Sequence, residues 1–211
     1  WSFRNSTVPT GGVLSSCVRP RESDLEMSQF EYLSVLISIV VALGITEVTI
    51  SWGRLLQHRS RVRFSGLHVF WTTFLLFVMI QFWWGFWNYR TVDAWSLASL
   101  LIFVSEGIAL VLCAIVLSPG RVISGDIDLE DLYYENARPF FLLGGVFLVL
   151  STVGDTFVLE VPFLHTENLI RLAGIGLVAF AASSTDRRVH IGLPIVAVVL
   201  LAFFLARAYM L

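Results

Sequence analysis

Predominantly apolar stretches follow one another along the chain at 30–52, 67–89, 94–117, 139–159, 167–184 and 189–210. Each is close to the roughly 20 residues an α-helix needs to cross a hydrocarbon layer of about 30 Å. The runs are continuous rather than alternating, which predicts helices and not barrel strands, the two backbones that lipid tolerates. The expected fold is all-α, a polytopic transmembrane bundle with six spanning helices over 27–211. Polar punctuation marks the boundaries. Ser118-Pro119-Gly120 closes the third run, and Pro139 falls where the first turn of the fourth is expected, a place where a missing N–H costs nothing. Pro194 lies inside the sixth run, where a kink is expected.

Residues 1–26 break the pattern. They hold Pro9, Gly11, Gly12, Pro20 and a polar stretch from Arg19 to Glu26, with no apolar run long enough for a signal-peptide core. We read them as a disordered leader or as upstream sequence wrongly joined to a chain that starts at Met27.

Composition agrees with the pattern. Of 211 residues, 56% are hydrophobic and 14% charged, where soluble domains carry about 25% charged residues. Every one of the 14 basic residues is Arg. The absence of Lys excludes Schiff-base chemistry on a lysine amine and the Walker-type phosphate loop. It also points to GC-rich coding and so to a bacterium. A formal charge of −2 suggests no nucleic-acid partner. The two cysteines, Cys17 and Cys113, lie too differently in the pattern to pair.

Arginine distribution sets the orientation. Connections one, three and five hold Arg54, Arg59, Arg61, Arg63, Arg121, Arg138, Arg187 and Arg188. The other side holds Arg90 and Arg207. By the positive-inside rule the odd connections are cytoplasmic and both termini extracytoplasmic, in a bacterial inner (plasma) membrane. Tryptophans fit aromatic belts, with Trp52 and Trp71 expected at the inner interface and Trp83, Trp84, Trp87 and Trp95 at the outer one. The third connection is acidic and amphipathic, with Asp126, Asp128, Glu130, Asp131 and Glu135 among Ile127, Leu129, Leu132 and Tyr133. It is expected to pack on the basic first connection or on a protein partner, or to stay solvated.

An ionisable group inside a bilayer costs about 2.5–3.5 kcal/mol on insertion scales and is a functional candidate by default. Glu106 is the sharpest, near the middle of the third run. Gln81 of the second run falls at comparable depth, so a Gln81–Glu106 hydrogen bond is expected. Asp155 and Arg171 come to similar depth on neighbouring helices and are expected to pair, with His165 and Glu167 extending the cluster. Glu47 lies on one helix face with Gly44, Ser51 and Arg54. A small-residue stripe, Ala173, Gly176, Ala179 and Ser183, is expected to pack the fifth helix on its neighbours. His58, His68, His165 and His190 are expected at solvated interfaces, not on a metal or haem. No zinc, nucleophile-elbow or dinucleotide motif occurs, so no catalytic residue, metal or cofactor is assigned and the reading leans away from an enzyme.

Leu33-Ser34-Val35-Leu36-Ile37-Ser38-Ile39, Leu43-Gly44-Ile45-Thr46, Gly53-Arg54-Leu55-Leu56 and the Trp-rich Gln81-Phe82-Trp83-Trp84 resemble the start of a group of uncharacterised bacterial multi-pass integral membrane proteins. The resemblance covers the first two helices. It implies an inner-membrane protein and no particular activity, and in that group the position of Glu47 often carries another polar residue.

Two functions fit these residues. One is a small proton- or cation-linked transporter or channel-like protein, with Glu106 as the binding carboxylate, Gln81 as its partner and Asp155–Arg171 as an outer gate. The other is an accessory, scaffold or sensor protein that binds a partner through Arg54, Arg59, Arg61 and Arg63 and through Asp126, Asp128, Glu130 and Asp131. A third, an enzyme acting on a lipid or quinone, would need polar groups converging on one cavity.

Overall fold

The computed structural model describes residues 28–92, 94–120 and 126–209. The expectations for the leader and Cys17 lie outside them. The fold is all-α, with α1 (Gln29–Gln57), α2 (Gly66–Gly85), α3 (Leu97–Leu117), α4 (Leu129–Val158), α5 (Thr166–Ser183) and α6 (Arg187–Tyr209). A 3₁₀ turn, Phe86–Thr91, extends α2. Two short strands, β1 (Val62–Arg63) and β2 (Ile127–Asp128), pair in parallel with Val62 opposite Ile127. Five helices are long and apolar enough to cross a membrane: α1, α2 with its 3₁₀ extension, α3, α4 and α6. The 18-residue α5 is not among them, because Glu167, Asn168 and Arg171 crowd its first two turns.

Local chemistry sets the helix starts. Ser28 and Glu31 form a reciprocal capping box on α1, each side chain bonding the other's backbone N–H. Ser96 caps α3 by accepting from the Ser99 N–H. Asp128 accepts from the Glu130 N–H and starts α4 ten residues before the apolar run at 139. The acidic connection is therefore mostly helix, and Pro139 sits inside α4 instead of in its first turn. Its ring removes one backbone donor in mid-helix.

α3 and α4 are the central pair, with α1 packed on α3 and α5 on α4; α6 rests on α5 and α2. Trp71, expected at an interface, is buried and packs edge-on against Phe140 and Phe141. Trp95 likewise turns inward onto Phe103. Trp83, Trp84 and Trp87 stay exposed, as a belt requires. The small stripe of α5 is the clearest reversal: Ala173, Gly176, Ala179 and Ser183 all face outward. Arg171 and Asn168 must face α4, and that choice turns Gly174 and Val178 inward, against Leu148 and Gly145.

Connections one, three and five gather at one end of the bundle, here called the arginine-rich end. Leu55, Val62 and Leu129 form a small core beneath the β1–β2 pair. Arg63 donates to Asp128 at 2.8 Å, and Arg187 meets Glu130 at 2.6 Å. The acidic segment thus packs on the chain's own basic connection. His68 and His190, expected to be solvated, are buried here. Helix ends leave carbonyls without partners, and these rings supply them. His68 Nε2 lies 2.8 Å from the Leu117 carbonyl, and His190 Nε2 lies 3.0 Å from that of Ser184. The other nitrogen of His190 is 2.8 Å from the Tyr133 hydroxyl.

The Glu130 N–H, with Arg63 alongside, holds the Asp128 carboxyl below the ordinary aspartate value. A lowered folded-state value means the carboxylate stabilises the fold fully above the unfolded-state value, and the contribution is lost as the pH falls through the lowered one. Asp128→Asn keeps a capping side chain and removes the charge. The stability gap between wild type and this variant should be present at neutral pH and close under acid. Unfolding in micelles over a pH series measures it, and a gap that did not move with pH would exclude the charge as its source.

Candidate functional site

At the opposite, arginine-poor end, four elements bring polar groups into apolar surroundings. α4 ends in an irregular turn, with Glu160 at φ 55°, the left-handed region that a non-glycine residue adopts only at a cost. The turn folds back, so that the Val161 N–H donates to the Asp155 carbonyl at 3.1 Å. It also sets the Pro162 carbonyl to accept from Asn168 Nδ2 at 3.2 Å. Asn168 in turn accepts from Arg171 Nη1 at 2.9 Å, three residues along the same helix face. The same Nη1 lies 2.5 Å from Asp155 Oδ2. The expected Asp155–Arg171 pair thus forms, with both side chains nearly inaccessible.

Sequence reasoning missed two members of this cluster. Tyr89, at the end of the 3₁₀ turn after α2, donates its hydroxyl to the second Asp155 oxygen. Asn168 positions the guanidinium. Both lie beside residues that carried the signal: Asn168 is three positions before Arg171, and Tyr89 occupies the connection opposite Asp155. With Tyr89 on Oδ1 and Arg171 on Oδ2, Asp155 is engaged on both oxygens. Arg171 also lies over the Phe204 ring, 5.1 Å from its centre, which ties α5 to α6.

Glu106 projects from the middle of α3 and is 2% exposed. Its place against α4 is made by Gly154, where an added Cβ would stand 3.3 Å from both Oε1 and the Phe103 ring. Oε1 has no hydrogen-bond partner among the described residues. The charges that bear on it are those of Asp155 and Arg171.

These groups share a cavity of about 260 Å³ bounded by α2, α3, α4, α5 and α6. Gln81, Glu106, Asp155 and Arg171 line it, together with Tyr89 and Glu167. Four of the five residues singled out from sequence are therefore brought together. Glu47 is not. It lies on α1, away from the cavity lining, 3.5 Å from Arg54 Nη2 two turns along the same helix. His165 stays exposed at the start of α5. The arrangement offers an unpartnered buried acceptor, Glu106 Oε1, beside a closed ion pair, at one end of a largely apolar space.

No family model matches this chain, and no curated protein or solved structure matches it.

Proposed function

We propose that the chain is a multi-pass membrane transport protein, proton- or cation-linked, in which Glu106 is the ion-binding carboxylate. The observation that carries this reading is Glu106, buried on the wall of the 260 Å³ cavity, with its Oε1 left without a hydrogen-bond partner among the described residues. A carboxyl that merely joined two helices would be expected to have its oxygens engaged. Holding one at mid-membrane without a partner is expensive, which is the signature of a site that exchanges a proton or cation. Gln81 lies on the same wall. Asp155–Arg171, held by Tyr89 and Asn168, closes the arginine-poor end as a gate. In this reading α5 is a sixth span, its 18 residues reaching about 27 Å, with the inward charge of Arg171 neutralised by Asp155. The arginine-rich end is cytoplasmic and the termini are extracytoplasmic in a bacterial inner membrane.

Reconstitution with an internal pH-sensitive dye tests this. Wild type should pass protons or exchange them for a cation, and Glu106→Gln should lower the flux by about tenfold or more, the equivalent of losing 1.4 kcal/mol of binding. Unchanged flux in the variant would sink the assignment. A wild type with no flux under any cation gradient would favour the second reading, an accessory or sensor protein. That reading draws on Arg59, Arg61, Asp126 and Asp131, which remain exposed at the arginine-rich end after Arg63, Arg187, Asp128 and Glu130 have paired with one another.

A further inference from the structure

The cavity is much longer than a site for a bare ion. Its lining runs on α4 from Phe140 to Asp155 and on α2 from Trp71 to Gly85, at 1.5 Å per residue about 20 Å in each case. On α6 it runs from Leu193 to Phe204, about 16 Å. The two ends differ in chemistry. The ionisable groups Glu106, Asp155, Glu167 and Arg171 occupy the arginine-poor half. Towards the arginine-rich end the wall is Phe74, Val78, Phe140, Phe141, Leu177 and Ala197. A space of this form matches a molecule with one polar head and one apolar tail.

The sign of the head follows from the wall. Among the described residues Arg171 is the sole cation lining the cavity, and Asp155 and Asn168 already hold it. Glu106 and Glu167 are left as acceptors, so an anionic head would meet like charge, with neutral side chains such as Asn88 and Ser151 as the remaining donors. The rings of Phe86, Tyr89 and Phe103 also line this end, with Tyr89 and Phe103 centred 4.5 Å apart. Carboxylate together with aromatic surface is the combination that recognises an organic ammonium group.

We propose that the cavity binds a single-tailed lipophilic amine, with its ammonium group on the Glu106 carboxylate and its tail lying between α2 and α6 towards Trp71. This rests on the reading of Glu106 as a ligand-binding carboxylate and names the class of cation it receives.

Photolabelling in phosphatidylcholine nanodiscs tests the assignment. The probes are dodecylamine and dodecanoic acid carrying the same diazirine near the tail end, with labelled residues located by mass spectrometry. The amine should label cavity-lining positions of α2 and α6, such as Val78 and Ala197, and unlabelled dodecylamine should compete it away. Glu106→Gln should reduce that labelling by about tenfold, while Glu47→Gln, outside the cavity, should leave it unchanged. The comparison of amine with acid needs no variant, so it stands even if Glu106→Gln does not fold. Equal labelling by the acid would overturn the proposal, as would labels confined to outward positions such as Ile195 and Val199. Amine labelling that persists in Glu106→Gln while proton flux is lost would also overturn it and leave the proposed function standing. Glu106-dependent amine labelling without proton flux would support the site and count against proton transport.

Discussion

Replacing Arg171 by Met is expected to destabilise the protein by about 3–5 kcal/mol, the cost of removing one partner from a buried ion pair. The side chains of Arg171 and Asp155 are 11% and 8% exposed, so solvent can do little to reclaim the carboxylate left behind. Among the described residues Tyr89 would remain as its one side-chain donor. The double variant Arg171→Met with Asp155→Leu should recover much of the loss, because the penalty lies in the stranded charge and not in the absent attraction. The Glu47–Arg54 pair is the natural control. At 3.5 Å and with 27% and 20% exposure, its disruption should cost no more than about 1 kcal/mol. Unfolding by SDS titration from mild micelles would measure all three. A small effect of Arg171→Met, comparable with that of Glu47→Gln, would show that water reaches Asp155 freely.

Gly107→Ala is expected to cost about 1–3 kcal/mol through overpacking at the crossing of α1 and α3. The new methyl would stand 2.7 Å from Val40 Cγ1. A β-branched side chain on a helix has essentially one rotamer and cannot swing aside, so the helices themselves must separate. Val40→Ala in the same background should restore most of the stability. Gly44→Ala makes an instructive contrast. Its methyl would come even closer to a neighbour, 2.6 Å from Met79 Cε, yet a thioether end is flexible and yields. The same SDS titration should therefore rank Gly107→Ala well above Gly44→Ala. The reverse order would mean that the space around Met79 is the tighter of the two.

The helices were legible because unbroken apolar runs admit few other structures. Their inward faces were less so. α5 shows why: its small residues advertise close packing, yet the energetic stake of seating Arg171 on Asp155 is larger than that of packing alanines, and the polar face prevailed. α4 shows a second limit. Its first ten residues are charged and amphipathic, so they ended the hydrophobic signal without ending the helix. The candidate site was largely readable from the cost of charge in an apolar run, which selected Glu106, Asp155 and Arg171. Tyr89 and Asn168 escaped because uncharged polar residues at helix ends are ordinary, and nothing local says that they face inward. His68 and His190 escaped for a related reason: a ring that satisfies the last carbonyl of another helix leaves no trace in the spacing of its own.

The bundle is fastened unevenly, and the consequence is one of leverage. At the arginine-rich end the β1–β2 pair, two ion pairs and two histidines bind the connections together. The 23-residue α6 begins within that knot and reaches the other end of the cavity, where the Arg171–Phe204 contact meets it. A rod of about 34 Å pivoting at one end moves its tip by roughly 6 Å for a tilt of about 10°. A guanidinium resting near that tip acts on the long arm, where the least force is needed to hold the helix in place.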